Sequence, residues 1–121
     1  MSAVSKRLEE AGLVLPAVAA PVAAYTPAIG FETEGGLLVR TSGQIPVKDG
    51  ELVATGLVGA EVSPQQAYSA AQVCALNALA AGAQVAGGVD RLERVLKVTV
   101  FVASIPTFTG QASVANGVSD T

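Results

Sequence analysis

Thr41-Ser42-Gly43-Gln44-Ile45-Pro46 closes the first well-marked strand of the chain, and Ser63-Pro64-Gln65-Gln66 opens its longest helix. The strand reads as Gly36–Ile45, with Leu37, Leu38 and Val39 as an apolar run. The small residue at Gly43 suggests a bulge, or a close approach of something else to the backbone. Lys48-Asp49-Gly50-Glu51 is a tight turn, Asp-Gly being the pair that supplies positive φ in a hairpin connection. Val53–Val58 continues as extended chain. In the helix, Ser63 stands at the N-cap, Pro64 at the first helical position and Gln66 three residues after the cap, the pattern of a capping box. Val73, Leu76, Leu79 and Ala80 then recur at helical spacing to about Ala83, and Gly87-Gly88 ends the run.

Upstream, Ser5–Gly12 reads as a short amphipathic helix, with Leu8 and Leu13 apolar, Lys6, Arg7, Glu9 and Glu10 solvated, and Gly12 as its stop. Pro16 and Pro21 favour an extended Ala/Val-rich run through Ala24, bounded by Pro27 and compatible with an edge strand. Downstream, the β-branched residues Val95, Val98, Thr99, Val100 and Val102 predict a buried strand over Val95–Ala103. Pro106 to Gly110 is a break, and Val114–Thr121 reads as a further helix running to the end of the chain. The order predicts an α+β domain with helices on one face of a sheet.

The 121 residues suit one domain. Half are hydrophobic, but only 4 % are aromatic and there is no Trp, so the core is built from Ala, Val and Leu. Such a core buries less area per residue, which makes oligomerisation an expected supplement. Seven Lys and Arg against ten Asp and Glu leave the chain acidic. The basic residues are scattered, and the densest stretch, Arg91–Lys97, is diluted by Glu93, which argues against a nucleic-acid partner. Cys74 is the single cysteine, excluding an internal disulfide and a cysteine-based zinc cluster. With no His in the chain, Ser–His triads, Cys–His pairs and H-E-x-x-H sites are excluded too. Neither a cofactor nor a metal is expected. Met1–Gly12 lacks the apolar centre of a signal peptide, and no apolar run approaches the ~20 residues of a membrane span. The expected location is therefore the cytoplasm.

Two hexapeptides and the helix between them carry a resemblance. Thr41-Ser42-Gly43-Gln44-Ile45-Pro46 resembles the T-S-G-Q signature of the RidA/YjgF/UK114 family, and Lys97-Val98-Thr99-Val100-Phe101-Val102 resembles its second signature strand, K-x-T-V-F-V. Val114–Asp120 is similar to the segment that contributes a family Asn. The resemblance implies a RidA/chorismate-mutase-like fold, a mixed β-sheet packed against two helices, assembled as a homotrimer with ligand clefts between subunits. It also implies hydrolysis of reactive enamines and imines, of the 2-aminoacrylate and 2-iminopropionate type, to keto acid and ammonia. The ligand would be a small carboxylate or imine. Position by position, it implies ligand-binding roles for Tyr25, Ser42, Gly43 and Asn116. It further implies later strands with a carboxylate-binding Arg. Arg91 and Arg94 lie before the second signature and do not take that place, so the chain reads as a single domain truncated at its C-terminus. A non-catalytic metabolite-binding trimer is the alternative, and an endoribonuclease of the same fold a third reading.

Overall fold

The computed structural model describes residues 3–121. Three α-helices and two small antiparallel hairpins follow one another along the chain: α1 (Val4–Glu10), β1 (Ala28–Thr33), β2 (Gly36–Thr41), β3 (Val47–Lys48), β4 (Glu51–Leu52), α2 (Pro64–Ala86), a single 3-10 turn (Val89–Arg91) and α3 (Gln111–Ser119). The α+β class is as expected. The sheet is smaller than expected, because each ladder has only two strands and both are antiparallel. Parallel pairing is limited to isolated bridges, among them Val58 with Ser104.

The described residues form two compact units, residues 3–44 with 76–96 and residues 45–75 with 97–121. In the first unit β1 pairs with β2 from Ala28 opposite Thr41 to Thr33 opposite Gly36. The hairpin lies close to the second half of α2. A Cβ on Gly30 would stand 2.9 Å from Val85 Cγ1, and one on Gly82 would stand 3.7 Å from Val39 Cγ1. Glycine on both surfaces lets backbone approach backbone, and Ala28, Ala80, Ala81 and Ala83 are buried in the same unit.

In the second unit Val58, Val62, Ala67, Ala71 and Val114 form the core, with Ala54, Val102, Phe108 and Val118 packed against it. The Asp-Gly turn forms as predicted. Asp49 at φ 54 and Gly50 at φ 81 join β3 to β4 in the left-handed conformations that a two-residue hairpin requires. The capping box is reciprocal: the Gln66 N–H donates to Ser63 Oγ at 3.1 Å, and the Ser63 N–H donates to Gln66 Oε1 at 2.8 Å. At its other end α2 closes with the Gly88 N–H on the Ala83 carbonyl at 2.8 Å, the six-to-one bond of a Schellman motif.

Three expectations are corrected. The stretch from Pro16 to Ala24 forms no strand; the strand beside β2 is Ala28–Thr33. The predicted strand Val53–Val58 reduces to a bridge at Val58. Val95–Ala103 is not a buried strand, for Val95, Leu96 and Phe101 are 68 %, 69 % and 93 % exposed and no ladder runs along it. β propensity records fit to a pleated, half-covered surface, and among the described residues nothing provides that surface here. The last helix begins at Gln111, three residues before the predicted start, and closes after Ser119. The Asp120 N–H donates to the Asn116 carbonyl, and Thr121 Oγ1 donates to the Gly117 carbonyl.

Candidate functional site

Tyr25, Ser42 and Gly43 lie in the first unit, where the segment entering β1 meets the segment leaving β2. One step beyond the last ladder pair, the Ser42 N–H donates to the Pro27 carbonyl at 2.9 Å. Ser42 Oγ donates to the same oxygen at 3.1 Å. Gln44 Nε2 donates to the Ser42 carbonyl at 3.3 Å. Ser42 is thus held on both its amide and its carbonyl side, with hydroxyl lone pairs left to accept.

Pro27 brings Tyr25 to the same end of the hairpin, two residues upstream. The Tyr25 N–H donates to the Ala23 carbonyl at 2.9 Å, making a tight local turn. Its hydroxyl oxygen accepts the Val22 N–H at 3.3 Å. That contact uses a lone pair and leaves the phenolic proton free to donate. The ring is 40 % exposed.

Gly43 differs from every other described glycine. It has no positive φ, and a Cβ built on it would meet no atom within 4 Å. Neither backbone conformation nor internal crowding calls for glycine there. Its N–H has no partner among the described residues. The arrangement offers one amide donor, one hydroxyl acceptor and one phenol donor at a strand end.

Asn116 belongs to the second unit, in the last turns of α3, and its side chain is exposed. It is not a helix N-cap, a place taken by Gly110.

Two open hollows of the molecule contain none of these four residues. One, of about 360 Å³, is lined by Pro64, Gln65, Tyr68, Ser69, Ser113 and Val114 between α2 and α3. The other, of about 410 Å³, lies beside α1. At the first, Tyr68 donates its hydroxyl to Asp120 Oδ2 at 2.8 Å, a contact that raises the phenol above its ordinary value of 10.0. Sequence reasoning missed this pair, since 52 residues separate its members. Cys74 is half-buried on α2, and burial pushes its thiol up, away from the reactive thiolate. Among the described residues there is no group of three His, Cys, Asp or Glu placed to hold a metal, and no helix is long and apolar enough to cross a membrane.

Comparison with known proteins matches residues 5–120 to the family described as "YjgF/chorismate_mutase-like, putative endoribonuclease". Protein TCP17 of Trypanosoma cruzi is 38 % identical over 117 residues, covering 97 % of this chain and 71 % of that protein. The crystal structure of Atu1372 from Agrobacterium tumefaciens, a protein described as of unknown function, is 40 % identical with a TM-score of 0.76, covering 95 % of this chain and 67 % of that one. A crystal structure from Shewanella oneidensis, described as a "putative endoribonuclease", is 28 % identical with a TM-score of 0.81, covering 98 % and 76 %.

Proposed function

The chain belongs to the YjgF/chorismate mutase-like family, and on that premise we propose that it hydrolyses small reactive enamines and imines to keto acid and ammonia. The observation that carries the proposal is Gly43: an open glycine with a free N–H, beside a serine pinned to Pro27. Glycine where nothing inside the chain requires it fits a position that a ligand approaches along the backbone.

In this reading the Gly43 N–H and the Tyr25 hydroxyl donate to the ligand's carboxylate, and Ser42 Oγ accepts from the imine nitrogen. An enamine first takes a proton from water on its terminal carbon and gives one up from nitrogen to become the imine; water then adds to the imine carbon, the carbinolamine loses ammonia, and the keto acid remains. An iminium carbon is electrophilic already, so orientation by fixed donors supplies much of the rate. The chemistry does not need the imidazole that the sequence lacks. Asn116 enters as a ligand residue by the family resemblance, and the homotrimer and the cytoplasmic location are part of the same proposal.

The test is release of keto acid and ammonia from freshly generated 2-aminoacrylate. Tyr25→Phe and Asn116→Ala are each expected to lower kcat/KM by about tenfold or more, in the range of a lost oriented donor, and Gly43→Ala to lower it by a similar factor because its methyl group would stand in the ligand's path along the backbone. Gly43→Ala keeps its melting temperature, since its methyl group meets no neighbour. Unchanged turnover in all three variants would remove these residues from the mechanism. Keto-acid binding by calorimetry without turnover would instead identify a binding module. Cleavage of RNA surviving removal of contaminating nucleases would favour the endoribonuclease description carried by the family and by the Shewanella oneidensis structure. Sedimentation equilibrium at three times the chain mass is the expected result for the assembly.

A further inference from the structure

α1 is seven residues long and buries a single side chain, Leu8. A helix of two turns is not stable by its own hydrogen bonds, so what holds it in place is tertiary. Its N-terminal turn has no side-chain cap of its own. The cap comes from the 3-10 turn 85 residues away: the Ser5 N–H donates to Asp90 Oδ1 and the Ser5 hydroxyl donates to Asp90 Oδ2, both at 2.7 Å. One carboxylate thus satisfies an orphan amide of the helix and grips the side chain of the same residue. These bonds hold the Asp90 carboxyl below its ordinary value of 3.8. At the other end α1 closes in a Schellman turn, with Gly12 at φ 70 and the Leu13 N–H on the Leu8 carbonyl at 2.8 Å; once that bond breaks, glycine is the residue that changes conformation most freely. Leu8, Leu13, Leu15 and Val89 line the apolar hollow of about 410 Å³ beneath and beside it.

We propose that α1 is a detachable strap, latched by the two-pronged Ser5–Asp90 contact and hinged at Gly12, which opens over the Leu8–Leu13–Leu15–Val89 hollow while α2 stays folded. In the open state Leu8, buried while the latch holds, becomes accessible, and the helix loses its cap and unwinds. The device is independent of the proposed chemistry, because it uses none of Tyr25, Ser42, Gly43 or Asn116.

Hydrogen exchange of the full chain, read separately over residues 7–13 and over α2, tests it. Asp90→Ala is expected to speed exchange in residues 7–13 by about tenfold or more with α2 unchanged, as for a local rather than global opening. Ser5→Ala, which removes one prong, should give a smaller increase. The dye 8-anilinonaphthalene sulfonate should bind more strongly to Asp90→Ala than to the parent chain. Equal exchange in parent and variants would overturn the latch. Equal acceleration in α1 and α2 would overturn the strap, making α1 an integral part of the fold. If Asp90→Ala fails to fold, the urea dependence of exchange in the parent chain decides instead: a slope near zero for residues 7–13 supports local opening, and the slope of global unfolding refutes it.

Discussion

Tyr68 and Asp120 meet on the exposed side of the second unit, with the phenol as donor and the carboxylate as acceptor. The bond favours the neutral phenol, and the nearby negative charge disfavours a second one, so the folded-state value lies above 10.0. A phenol whose value is raised by folding contributes its stability below the unfolded value and loses it as pH rises through the folded one. The chain has two tyrosines. In a Tyr25→Phe background, ultraviolet titration therefore follows Tyr68 alone, and adding Asp120→Asn should move the transition down toward 10. An unmoved transition would mean that the contact does not persist in solution. Gly117 is the other decisive single residue here. It is buried on α3, and a Cβ there would collide with the Tyr68 carbonyl oxygen of α2 and crowd the Ala71 methyl at 2.8 Å. Gly117→Ala should cost about 1–3 kcal/mol in urea unfolding, the range for overpacking a closed contact. Neither fact is legible in the sequence, because partners 46 to 52 residues away leave no local pattern. Gly43 was legible as a small residue at a strand end and as part of the Thr41–Pro46 signature, while its open surroundings belong to the tertiary structure.

Among the elements, α2 was the most legible, and for a local reason. Its start is written in Ser63, Pro64 and Gln66, which satisfy one another's backbone groups without help from the rest of the chain. Ser63→Ala should lower stability by about 1 kcal/mol, measured as a shift in urea midpoint at unchanged slope, and Ser63→Asp should restore most of it. The β3–β4 hairpin was readable in the same way, from Asp49-Gly50. Strands were less so. Ala28–Thr33 is interrupted by Gly30 and Glu32, residues depleted in strands, yet it pairs along its full length with β2. Val95–Ala103 has the stronger propensity and no ladder. A strand exists by virtue of its partner, which local composition does not report.

At the scale of the whole molecule, the exposed apolar run Val95, Leu96, Val98 and Phe101 stands out. An extended segment with unpaired backbone and apolar side chains is a template for association. Phe101→Ser should leave the unfolding free energy within about 0.5 kcal/mol while reducing light scattering at high protein concentration. A large loss of stability instead would show Phe101 buried in solution. By itself the sequence determined the α+β class, the long capped helix, the Asp-Gly hairpin and the family, since each rests on hydrogen bonds between near neighbours or on short motifs. Only the tertiary structure decided which extended segments became strands, which carboxylate caps α1, and why Gly30 and Gly117 have no room for a side chain. Those outcomes depend on groups brought together from distant parts of the chain, and their contact energies have no counterpart in local residue order.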